Sequence, residues 1–153
     1  MHVLIATDGS QQSLDAAAYL RSFADPSSIT SVAVLAVVSP LAAVPFANEA
    51  EGGGDSLEDI SFRRSAERAT AAMADELRGW AREVTTHVYG GSPSSEIVKA
   101  AREMGSGLIV IASSSSRTEA VLMGSVAHRV MSHAPCPVLV VRPQDKVRRA
   151  RRG

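Results

Sequence analysis

A single cysteine, Cys136, leaves no partner for an internal disulfide, so the chain is not a disulfide-stapled scaffold and its thiol gives no argument for export. No run of about 18 consecutive apolar residues is present, which excludes a transmembrane helix. Met1-His2 leads straight into Val3-Leu4-Ile5-Ala6 with no basic leader and no cleavage site. A signal peptide is therefore not expected, and a cytoplasmic, soluble domain is. Lysine is scarce too. Lys99 and Lys146 are the only two, and neither follows the glycine loop that a P-loop requires. A Gly-x-Gly-x-x-Gly dinucleotide fingerprint is missing after the first apolar run.

Metal chemistry finds little support. His2, His87, His128 and His133 have no ligand spacing with carboxylates or with Cys136. His128 and His133 are five apart and project from different faces of a helix. Asp8-Gly9 suggests the nucleophile loop of haloacid dehalogenase phosphatases, but the nucleophilic Asp two residues earlier is replaced by Ala6. Cys136, between two prolines, reads as a buried, inert thiol. No nucleophile-plus-base pair is visible, so catalytic residues and bound metal are not expected.

What is present is an ordinary globular composition, 45% apolar and 21% charged, over a length typical of one domain. Formal net charge is zero, but its distribution is uneven. Lys146, Arg148, Arg149, Arg151 and Arg152 crowd the end, leaving eleven basic against sixteen acidic residues before them. A basic tail over 144–153 suits nucleic acid or acidic partners, or is a solvated terminus. With no aromatic groups nearby for stacking, the solvated, disordered reading is preferred and nucleic acid is not an expected partner.

Apolar runs and turn signals alternate along the chain. Val3–Ala6 reads as a strand, and Thr7-Asp8-Gly9-Ser10 as a turn with Ser10 capping a helix. Leu14, Ala17, Ala18 and Phe23 form that helix's stripe, stopped at Asp25-Pro26. Val32–Val38 is nearly all apolar, as in a parallel strand covered on both faces. Residues 40–59, with Gly52-Gly53-Gly54, two prolines and five acids, read as a flexible acidic loop. A helix from about Leu57 carries Phe62, Ala66, Ala69, Met73, Leu77, Trp80 and Val84 at helical spacing. Val84–Tyr89 is a third strand. Ser92-Pro93 starts a helix bearing Ile97, Ala100, Ala101 and Met104, stopped by Gly105. Leu108–Ala112 is a fourth strand, followed by a polar loop over Ser113–Thr118. Gly124-Ser125 opens a last helix carrying Val126, Val130 and Met131, ended by Pro135. Pro137–Val141 is a fifth strand. This alternation predicts a single α/β domain over 1–143, with a mostly parallel sheet.

In such a sheet, ligands sit beyond the carboxyl ends of the strands, where strand order reverses. The loops after strands one and four are therefore the candidates. Gly124-Ser125-Val126 has the form of an anion site, a glycine admitting a phosphate to free helix N–H groups. The same residues also make an ordinary helix cap.

Asp8, Gly124-Ser125-Val126 and the closing His133-Ala134-Pro135-Cys136-Pro137-Val138-Leu139-Val140-Val141-Arg142 resemble the universal stress protein family from about Val3 to Arg142. The resemblance implies a Rossmann-like three-layer α/β sandwich, a five-stranded parallel sheet of order 3-2-1-4-5, and a homodimer. It also implies an adenine nucleotide, ATP, AMP or cyclic AMP, between strands one and four, with Mg2+ accompanying ATP. Ala6, Thr7, Asp8 and Val37 match the base and ribose side. Ala112, Ser113, Ser114, Ser115, Arg117, Gly124, Ser125 and Val126 match the phosphate side. The family's Gly-x2-Gly-x9-Gly-Ser/Thr pattern is kept only at Gly124-Ser125. Both earlier glycines are replaced, by Ile111 and Ser114 or, with a loop one residue shorter, by Ala112 and Ser115. Serines and Arg117 supply alternative phosphate donors, which suits a shorter phosphate such as AMP or a cyclic nucleotide. Edge strand Val138, Leu139, Val140 and Val141 is apolar and uncharged, and dimer pairing would cover it. Two alternatives stay open: a dimer that binds no nucleotide and acts through protein contacts, and a weak ATPase.

Overall fold

The computed structural model describes residues 1–39, 57–113 and 124–143. The acidic loop up to residue 56, the serine loop from Ser114 onward and the basic tail lie outside the described residues.

Five strands, β1 (His2–Ala6), β2 (Ser31–Val38), β3 (Val84–Gly90), β4 (Leu108–Ala112) and β5 (Val138–Val141), alternate with four helices. These are α1 (Gln11–Phe23), α2 (Leu57–Leu77), α3 (Pro93–Met104) and α4 (Ser125–His133). All pairings are parallel, in the order β3-β2-β1-β4-β5. The expected fold and strand order are observed. The uninterrupted apolar runs follow from burial on both faces. Val3 and Ile5 join a core beneath α1 and α2, whereas Leu4 and Ala6 join a second core beneath α3 and α4. Reversal of strand order at β1/β4 leaves a crevice above their carboxyl ends.

Several helix faces differ from expectation. In α1 the buried side is Ser13, Ala16, Ala17 and Leu20. Ala18 is exposed, and Phe23, 60% exposed, meets Tyr19 at the surface in a tilted pair with ring centroids 5.4 Å apart. Among the described side chains of α2, those fully buried are in the C-terminal half: Thr70, Met73, Ala74 and Leu77. Phe62 is 41% exposed. The helix stops at Leu77, ahead of Gly79 at φ +84°, so Trp80 packs from the turn and Val84 opens β3. On α4 the buried pair is Ala127 and Val130, and Met131 faces outward. Each discrepancy has one cause: the sheet covers a limited arc of each helix, and apolar periodicity alone does not locate that arc.

Candidate nucleotide site

The β1–α1 junction is built by hydrogen bonds that the local sequence supplies. Gly9 turns the chain at φ +80°, a conformation that a Cβ disfavours. The amide of Ser10 donates to Asp8 Oδ1 at 2.9 Å, and the Ser10 hydroxyl caps α1 by accepting from the Ser13 amide at 3.2 Å. Ser13 Oγ donates to the Ser10 carbonyl at 2.8 Å. That commits its only proton, so in the 2.8 Å contact between Thr7 Oγ1 and Ser13 Oγ the donor is Thr7. Thr7 Oγ1 in turn accepts from the Gly9 amide at 3.1 Å. The chain Gly9 N–H to Thr7 to Ser13 to Ser10 carbonyl is buried at its centre and holds the loop so that Asp8 stays exposed.

The β4–α4 junction is organised differently. Ser113 is buried, and its amide donates to the Val141 carbonyl at 2.9 Å. Its carbonyl accepts from the Gly124 amide at 2.5 Å. The Gly124 amide is therefore already satisfied within the chain. Gly124 also has negative φ, −44°, and its carbonyl accepts the first helical bond, from His128 at 3.2 Å. The N–H groups pointing out of α4 are those of Ser125, Val126 and Ala127, which have no intrahelical acceptor.

Between the junctions lies a cavity of about 270 Å3. Of the expected residues, Ala6, Thr7, Asp8, Val37, Ala112, Ser113, Gly124 and Val126 line it together. Val37 is a half-buried wall residue and not only strand core. Ser125 is exposed and does not line the cavity. Ser114, Ser115 and Arg117 lie outside the described residues. Sequence reasoning missed Ser13, Leu35, Ile111 and Ala127, together with Pro93 and Ile97 of α3. A Ser three residues after a Ser cap was a usable signal for Ser13. No local signal announced that α3, which follows β3, walls a site at the ends of β1 and β4.

The lining is mainly aliphatic, with the Asp8 carboxylate at one rim and the α4 N-terminus at the other. An apolar slot suits a planar base, the carboxylate accepts hydroxyl or amino donors, and the helix start favours an anion. Among the described residues no cluster of three His, Cys, Asp or Glu side chains could hold a metal ion. Cys136 is half-buried, and burial pushes its thiol above the ordinary range, against a weaker opposing hydrogen bond from Ile109. No helix of the described residues is long and apolar enough to cross a membrane.

The pattern for the Universal stress protein family matches residues 1–142. Universal stress protein MJ0531 of Methanocaldococcus jannaschii is 34% identical over 146 residues, covering 94% of this chain and 83% of its own length. Universal stress protein YxiE of Bacillus subtilis is 31% identical over 156 residues, covering 92% and 97%. Among solved structures, a universal stress protein in complex with cAMP superposes with a TM-score of 0.68 at 22% identity, over 92% of this chain and 96% of that one. The universal stress protein from Archaeoglobus fulgidus in complex with dAMP gives 0.62 at 24%, over 92% and 96%. At these identities the two structures speak for the fold. With most of its length matched by the family pattern and by relatives above 30% identity, this chain belongs to the universal stress protein family.

Proposed function

We propose that the crevice between β1 and β4 binds an adenine nucleotide, with a nucleoside monophosphate or cyclic monophosphate preferred over ATP. The observation that carries this reading is the cavity itself. One aliphatic slot lies between Asp8 and the start of α4. Relatives of the same fold are known with cAMP and dAMP bound. Ala6, Leu35, Val37 and Ile97 sandwich the base. Asp8 keeps Oδ2 for a ribose hydroxyl while Oδ1 holds the Ser10 amide. The N–H groups of Ser125 and Val126 meet the phosphate, joined by Ser113, Ser114, Ser115 and Arg117. Two features favour the shorter ligand. The volume is near the lower end of the roughly 300–1,000 Å3 common for ligand pockets. The Gly124 amide is also engaged with Ser113, so fewer main-chain donors remain for a triphosphate.

Binding is regulatory in this reading, and no side chain is assigned to catalysis. The second protomer pairs along β5, whose outer edge has no partner strand among the described residues. Val138, Leu139 and Val140 are half-buried in the single chain and become covered. Val141 is already buried in the chain's own core and contributes through its main chain. Isothermal titration with AMP, cyclic AMP and ATP, with Gly124→Asp as control, tests the site. Heat on titrating AMP into the native chain, lost in the variant, supports it. Equal silence from both chains leaves the dimer acting through protein contacts.

A further inference from the structure

A second concavity, of about 530 Å3, opens between α3 and α4 and shares no lining residue with the nucleotide cavity. One wall carries Lys99 and Arg102 of α3, the other Arg129 and His133 of α4. Helical spacing explains the alignment. Ser95, Lys99 and Arg102 recur at i, i+4 and i+7, and Arg129 and His133 at i, i+4. Packing of the two helices then brings both stripes to one groove. Glu96 and Glu103 of α3 do not line it.

Three permanent cations and an imidazole so placed repel one another, and the described residues provide no compensation. Arg21 and Arg78 find carboxylates, Glu76 and Asp75, whereas Lys99, Arg102 and Arg129 form no ion pair among the described residues. The His133 ring is oriented by the contact of Nδ1 with the Arg129 carbonyl at 3.0 Å. Arg102 and His133 lie in the last turns of α3 and α4, where the helix dipole favours positive charge, but Lys99 and Arg129 do not. The dipole does not account for three cations and an imidazole meeting in one hollow on a chain that is acidic before its tail.

We propose that the α3–α4 groove is a second binding site, for a short oligophosphate chain. Two guanidinium forks engage phosphate oxygens in pairs, and the lysine adds a point charge. Among the described lining residues Val98 is the only apolar side chain, and there is no Phe, Tyr or Trp. A peptide would find little to hold its apolar side chains, and a nucleic acid would find no Phe, Tyr or Trp on which to stack its bases. A compact anion recognised by charge alone fits what remains. The proposal stands independently of the nucleotide reading.

The test is titration of the full chain with inorganic tripolyphosphate, by calorimetry and by amide chemical shifts. One tripolyphosphate per chain is expected, with shifts at Lys99, Arg102, Arg129 and His133. The double reversal Arg102→Glu/Arg129→Glu should weaken binding at least about tenfold and leave AMP affinity within about twofold. Lys99, Arg102, Arg129 and His133 are all exposed, so the fold should tolerate the change. If its thermal midpoint nevertheless drops, Lys99→Gln and Arg102→Gln decide instead, each weakening binding about threefold. Unchanged affinity in these variants overturns the proposal. So do shifts confined to 124–126 or to the basic tail, and so does tighter binding of an octaglutamate peptide or a single-stranded oligonucleotide.

Discussion

The two rims of the nucleotide cavity satisfy their polar groups in opposite ways. At the β1–α1 rim, side chains do the work: Thr7, Ser10 and Ser13 form a directed chain, and a hydroxyl caps the helix. At the β4–α4 rim no side chain caps the helix, and one main-chain bond from Gly124 to Ser113 ties helix to strand. The first rim is complete without a ligand. The second leaves amides at a helix start that have no intrahelical acceptor and suit an anion. A site with one rigid rim and one donor-rich rim positions a base and ribose against the first and takes charge at the second.

The largest expected effect breaks the donor-rich rim. Gly124→Asp places a carboxylate beside the α4 amides, where it caps the helix and repels phosphate. Nucleotide affinity should fall at least about a hundredfold by calorimetry while the thermal midpoint holds or rises. Loss of fold instead would show that this junction is structural. Next comes the rigid rim. Ser13→Ala removes the acceptor of the Thr7 proton in a buried setting and should cost about 1–3 kcal/mol in denaturant unfolding. A neutral result would mean that Thr7 finds another acceptor and the rim is less determined than described.

Smaller effects sharpen the contrast between the site and the far end of the sheet. There the His2 imidazole contacts Ser106 Oγ at 2.9 Å, and burial, with help from His87, holds it below the ordinary histidine value of 6.5. The unfolded chain then takes up the proton first as pH falls. Stability should decline below about pH 6.5 and level off once the folded imidazole is protonated too. His2→Asn should flatten that decline in urea titrations at pH 5 and 7, and an identical pH slope would contradict it. The smallest effect is chemical. Cys136, with its thiol pushed up by burial, should alkylate with iodoacetamide at pH 8 more slowly than free cysteine; an equal rate would contradict that burial.

How much of this was legible in the sequence depends on how local the cause is. Strand runs, the Ser92-Pro93 helix start and the Asp8 loop are local patterns and lie where the residues imply. Strand order came from resemblance to a family, since no periodicity states which strands are neighbours. Phe23 and Phe62 were misplaced because a helix repeats its apolar residues without saying where the sheet ends. Thr7 and Ser13 meet only when the turn closes, and Arg102 and Arg129 only when α3 packs on α4. Neither meeting is settled by periodicity along the chain. The early glycines could be compared with a pattern, but the engagement of the Gly124 amide with Ser113 needed coordinates.

The most direct measurement is an amide-detected titration of the full chain with AMP to saturation. The account predicts specific shifts at Ala6, Thr7 and Asp8 together with Ser125, Val126 and Ala127, saturating on one binding curve. Saturating AMP that leaves both groups of amides unmoved, or moves only one rim, would contradict a single ligand held across the crevice.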